Sequence, residues 1–148
     1  MNGSVRGFSL VEMAVALLIL GMLLAFSVPA FQTINKTNQL HGATENMAAN
    51  IRVLREKAIG TGQSQTLHFT IDYPPGTKFD YHVHNGLVTS PAWELPNDVT
   101  YWSIGINPTF DKTGRTTPSG TSGMVILRNG RGERDTVNIL ASGMVIVQ

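Results

Sequence analysis

The chain has 148 residues, the size of one ordinary domain. Its 11 Lys and Arg stand against 10 Asp and Glu, and a formal charge of +1 excludes a polyelectrolyte that binds through bulk charge. With 14% charged and 42% hydrophobic residues it is no disordered tail, and without cysteine it has no disulfide scaffold, thiolate metal site or cysteine nucleophile.

A mean hydropathy of +0.02 conceals a very uneven distribution. Residues 13–35 carry no charged side chain, and residues 13–28 are nearly all Ala, Val, Leu, Ile, Met and Phe. A helix over residues 8–30 would be about 34 Å long, enough to cross the hydrocarbon core of a bilayer. A polar leader, residues 1–7, precedes it with Arg6, and Lys36 flanks the other side, so charge gives only a slight preference for a cytoplasmic leader. More than a hundred residues of domain-like sequence after the span give the stronger argument for its orientation. One reading is a secretory signal peptide cut at Val28-Pro29-Ala30, releasing a soluble periplasmic binding domain. Glu12 argues against it, because a carboxylate entering an apolar segment costs about 2–3 kcal/mol near mid-membrane. A disposable segment has no use for that cost.

After Pro29 the pattern becomes amphipathic. Leu40, Met47 and Leu54 recur every seven residues, with Ala43, Ile51 and Ala58 interleaved, and Gly60 and Gly62 supply a stop. The spacing predicts one helix of about 78 Å from Phe8 to Ile59, with residues 31–60 as the amphipathic continuation. Three heptads admit a coiled coil, but the small Ala positions suit packing on a sheet. Beyond Gly62 the period becomes two: Leu67, Phe69 and Ile71 alternate with Thr66, His68 and Thr70, and Phe79, Tyr81 and Val83 with Asp80, His82 and His84. Asn85-Gly86 and Asn129-Gly130 are hairpin dipeptides; Pro74-Pro75-Gly76, Pro96-Asn97-Asp98 and residues 117–123 are further breaks. Strands are expected near 100–106, 123–128, 136–140 and 144–147. The predicted class is α+β, a long N-terminal α-helix followed by an antiparallel β-sandwich head of about seven strands over residues 61–148.

The run Arg6-Gly7-Phe8-Ser9-Leu10-Val11-Glu12 before the apolar segment resembles the class III signal of type IV pilins and type II secretion pseudopilins. The resemblance implies cutting after Gly7 by a prepilin peptidase, N-methylation of the new terminus Phe8, and retention of residues 8–30 as a transmembrane helix. Glu12 falls at the fifth position of the mature chain and Pro29 at the twenty-second, where the family carries a glutamate and often a helix-bending proline. Gly7 leaves the scissile backbone open to close approach. Cutting there creates an ammonium about one turn from Glu12, and a charge in lipid seeks a countercharge. Glu12 is thereby expected to pair with the terminal amine of an adjacent subunit, although a carboxylate that merely reaches the headgroups would explain it too. Pro29 removes one backbone hydrogen bond, and the segment from Gly21 to Pro29 is expected to loosen as subunits enter a filament.

Within this group the head resembles the H-type minor pseudopilin family and its FimT-type relatives. The residues are Leu54-Arg55 with Ala58-Ile59, Phe110-Asp111 with Gly114-Arg115, and Val137-Asn138-Ile139 with Gly143-Met144-Val145. The lack of cysteine agrees, since major type IV pilins commonly close a C-terminal loop with a disulfide.

Other chemistry is thin. His82 and His84 share a strand face but lack a recognisable third ligand, and exposed polar positions explain them as well; His41 and His68 have less context. Ser119 and Ser122 lie outside any nucleophile-elbow spacing, and no phosphate-binding or dinucleotide motif occurs. Neither a catalytic residue, a metal site nor a cofactor is expected, so the chain reads as no enzyme. Residues 112–148 hold five basic side chains against two acidic ones, and Arg128, Arg131 and Arg134 are the candidates for phosphate contact. Some FimT-type proteins bind DNA through a C-terminal Gly-Arg-x-Arg stretch, whereas here that segment reads Gly143-Met144-Val145-Ile146, so a solvated hairpin face is the default and DNA is not an expected partner. The expected function is that of a minor pseudopilin, single-pass in the inner membrane with a periplasmic head. Its partners are prepilin peptidase, other minor and major pseudopilins through the N-terminal helix, and an exported substrate at the pseudopilus tip. A FimT-like minor pilin of a pilus or DNA-uptake machine is the first alternative, the released soluble domain the second.

Overall fold

Helix α1 spans Leu10–Thr61 and keeps Pro29 inside it. The computed structural model describes residues 8–69, 80–85, 88–117 and 122–148. Residues 1–7 with the expected cleavage site Gly7, the expected strand positions Thr70, Ile71 and Phe79, the Pro74-Pro75-Gly76 break, Gly86 and Ser119 lie outside the described residues.

The chain divides into two compact units, Met1–Asn35 and Lys36–Gln148. In the first, α1 holds an 18-residue stretch of mean hydropathy 2.4 with none of it buried, long and apolar enough to cross a membrane. In the second, α1 buries Leu40, Ala43, Met47, Ile51, Leu54 and Ala58 to 5% exposure or less. These are the positions the heptad spacing selects. Ala48 and Thr44 widen the stripe, the Thr44 hydroxyl donating to the Leu40 carbonyl at 2.9 Å. The helix runs through Gly60, so that residue does not stop it; Gly62 does, in the left-handed region at φ 67°.

Nine strands follow among the described residues, against about seven expected: β1 Gln65–Phe69, β2 Tyr81–Asn85, β3 Val88–Trp93, β4 Val99–Ile104, β5 Thr109–Phe110, β6 Thr116–Thr117, β7 Gly123–Asn129, β8 Arg134–Ile139 and β9 Val145–Val147. They form two antiparallel sheets, ordered β3-β2-β1-β5-β6 and β4-β7-β8-β9. Alternation places Leu67 and Phe69 of the first sheet, and Val125, Leu127, Val137 and Ile139 of the second, in one core shared with the α1 stripe. Strand β3 carries Pro91, which cannot donate to a ladder, and it lies at a sheet edge where the missing donor is tolerated. Strands β5 and β6 have two residues each, too short for any periodic signal.

The expectation that His82 points to solvent is overturned. His82 is 1% exposed, on a strand flanked by β1 and β3, and its ring stacks on His68, its register partner, with centroids 5.5 Å apart. A register shift falls between His82 and His84, where period-two reasoning assumes an even ladder.

Gly143 lies at φ 81°, and a Cβ there would land on the carbonyl oxygen of Gly114. Gly143→Ala is therefore expected to lower stability by at least about 2 kcal/mol, through strain and backbone displacement together. Gly42 is helical with open space around it, and Gly42→Ala is expected to raise stability by up to about 1 kcal/mol. Urea unfolding of the detergent-solubilised full chain reads both.

Candidate assembly site and contact surfaces

The start of α1 is locked reciprocally. The Ser9 hydroxyl oxygen accepts from the Glu12 amide at 3.2 Å, while the Glu12 carboxylate accepts from the Ser9 amide at 3.3 Å. This is a capping box, Ser-x-x-Glu, satisfying two amides that a helix start leaves without partners. Ser9 is a residue that the sequence reading passes over, although its spacing to Glu12 carries the signature. The carboxylate is thus held within the first turn, one residue from Phe8. Further along, Pro29 lacks the N–H that the Ala25 carbonyl would accept, and the Thr33 hydroxyl donates to the Pro29 carbonyl at 3.0 Å.

In the head, several of the residues that carry the family resemblance, Arg55, Asp111, Gly114, Arg115, Gly143 and Val145, meet at one place. Asp111 Oδ1 accepts from the backbone amides of Thr113 and Arg115 and from the Thr113 hydroxyl, at 2.8, 3.0 and 2.6 Å. The turn so formed presents the Gly114 carbonyl, which accepts from Arg55 Nε at 2.9 Å, and Gly143 packs against that same carbonyl. One turn back along α1, Arg52 donates to the Val145 carbonyl at 3.2 Å. Leu54 and Ala58 are buried beside this clamp. It fastens the end of the helix to the β5–β6 and β8–β9 turns. The Thr113 hydroxyl, followed by the Arg115 amide, holds the Asp111 carboxyl below the usual carboxylate range.

At the other end of the head, Lys36, Thr37 and His41 of α1 meet the β4 approach and the β7–β8 hairpin. Glu133 Oε2 accepts from the Asn129 side-chain amide at 2.6 Å and from the Thr37 hydroxyl at 2.8 Å. These two bonds, in that order, hold its pKa down, with Arg131 adding to them. Asn129 Oδ1 accepts from the amides of Arg131 and Glu133, so Asn129 organises the loop from its side chain. Lys36 pairs with Asp98 at 3.5 Å and His41 with Asp135 at 3.3 Å. Between the two ends, burial raises the pKa of Tyr81, against a hydrogen bond from Asn50, and raises that of Tyr101. Both phenols remain neutral.

The three candidate arginines separate. Arg128 and Arg134 both lie over the ring of Trp102, their guanidinium carbons 4.8 and 3.9 Å from its centroid, whereas Arg131 stays in the hairpin loop 3.8 Å from Glu133. Among the described residues no group of three or more potential metal ligands occurs.

The prokaryotic N-terminal methylation motif matches residues 3–28 of this chain. No curated protein sequence matches it. Among solved structures, the type IV minor pilin FimU of Pseudomonas aeruginosa is similar, with a TM-score of 0.62 at 14% identity, over 78% of this chain and 92% of that one. A long N-terminal helix followed by an antiparallel head is the pilin fold, and the chain joins that fold to the methylation motif of type IV pilin-like proteins.

Asp111 and Glu133 have folded pKa values below their unfolded ones. Their stabilisation is therefore complete above the ordinary carboxylate range and is lost as pH falls through the folded values. Urea midpoints measured from pH 7 downwards should fall on the acid side, and the decline should be shallower in Asp111→Ala and Glu133→Ala, which begin from a lower midpoint.

Proposed function

We propose that this chain is a membrane-anchored minor subunit of a pilin-like filament, cut after Gly7, methylated at Phe8 and assembled through α1. The observation that carries this reading is the methylation motif over residues 3–28, set on a helix whose apolar stretch the chain itself leaves unburied. A subunit of this kind gains its association energy by packing such helices side by side. Glu12, pairing with the terminal amine of a neighbour, then sets the axial register. Residues 8–30 span the inner membrane and the head stands in the periplasm, with prepilin peptidase and other pilin-like subunits as partners. The released-domain reading has less support, because Val28-Pro29-Ala30 lies inside continuous helix rather than in an extended segment that a protease can enter.

Among filaments, the head residues that resemble the H-type pseudopilins support a type II secretion pseudopilus that moves folded proteins to an outer-membrane secretin. The likeness to FimU supports a second reading, a minor subunit of a type IV pilus. Removing the gene separates them: retained exported proteins mark the first, lost surface fibres the second.

The intact mass of the chain extracted from membranes should match residues 8–148 plus one methyl group, and a soluble chain beginning at Phe31 would refute the anchored reading. Glu12→Gln is expected to reduce filament incorporation at least tenfold with processing intact. Ser9→Ala, which removes only the cap, should cost about 1 kcal/mol of local helix stability and leave incorporation within about threefold. Equal losses in both variants would mean that Glu12 serves the cap alone.

A further inference from the structure

Trp102 sits at an irregular step of β4. Tyr101 pairs with Leu127 and Ser103 with Ile126, so Trp102 is the extra residue of a bulge, and its indole is 47% exposed. Arg128 and Arg134 are direct register partners on β7 and β8. Like charges facing each other across a ladder repel, and cation–π attraction of both to the Trp102 indole offsets that repulsion. Stacking engages the flat face of a guanidinium and leaves its edge of N–H donors outward. Among the described residues neither arginine makes an ion pair or a hydrogen bond. The acids of neighbouring segments are already engaged, Asp98 by Lys36, Glu133 by Asn129 and Thr37, and Asp135 by His41.

Alternation along β7 carries the same face from Arg128 to half-buried Ile126 and to Met124, which is 48% exposed. Two fixed, unpaired cations therefore adjoin an apolar strip. A nucleic-acid strand would call for a succession of stacking platforms along a basic track, and this face offers one indole followed by aliphatic side chains. A protein surface that presents a carboxylate bordered by apolar side chains matches both halves of it.

We infer that the outer face of the β4-β7-β8-β9 sheet docks an acidic protein segment, its carboxylate received by Arg128 and Arg134 over Trp102 and its apolar neighbours by Ile126 and Met124. This site belongs to the head and is independent of how α1 assembles. The test uses the full chain in detergent, with a detergent blank, and three fluorescent probes of equal length: a Glu-Leu alternating peptide, a Glu-Ser alternating peptide and an oligothymidylate. The Glu-Leu peptide should bind at least tenfold more tightly than either other probe. Arg128→Gln, Arg134→Gln and Trp102→Ala should each weaken it at least fivefold with unchanged circular dichroism. Met124→Ser should weaken Glu-Leu binding at least threefold and leave Glu-Ser binding unchanged, a readout that does not depend on the arginine variants folding. Tighter binding of oligothymidylate would make the face a nucleic-acid surface. Equal binding of the two peptides, or arginine losses below fivefold, would also overturn the inference.

Discussion

The head depends on one contact, the seating of a single helical stripe against two sheets. Leu40, Met47, Ile51 and Leu54 fill the space between the inward rows of the strands, while Ala43, Ala48 and Ala58 let the helix backbone approach closely. Neither sheet completes a core without that stripe. Burying it is the dominant favourable contribution available to so small a domain, which has no disulfide to assist it. The polar contacts at the two ends of the head, Arg55 on Gly114 and Thr37 on Glu133, then fix where along the helix the sheets sit.

Much of this was legible in the residues because it is periodic. A repeat of seven with interleaved small positions selected the buried face of α1, and alternation marked β1 and β2. What was illegible has physical reasons. Strand β3 is interrupted by Pro91 and tolerates it only through its place at an edge, which is a tertiary fact. Strands β5 and β6 exist through pairing with β1 and with each other, without a pattern of their own. His82 looks like the solvent member of an alternating pair, yet its strand lies inside the sheet. The approach of Arg128 and Arg134 to one indole requires both the register of β7 on β8 and the bulge in β4, neither of which local sequence encodes.

The short head motifs acquire a meaning in the fold that differs from a chemical signature. Arg55, Asp111, Gly114, Arg115 and Gly143 are scattered through nearly ninety residues and converge on one carbonyl group and the turn that presents it. Their identities follow from geometry: a carboxylate to gather amides, a guanidinium to reach a carbonyl, a glycine where a side chain has no room. A resemblance built on such residues speaks first of architecture. The outer face of the β4-β7-β8-β9 sheet uses other positions.

The reciprocal lock between Ser9 and Glu12 alters how recruitment is weighed. In the solitary subunit the acid already has an occupation, so any neighbour that engages it must outbid a backbone amide only one turn away. On the proposed assembly, the strength of joining is a difference between two allegiances of one carboxylate, and it would be tuned from Ser9 without touching the surfaces where helices meet.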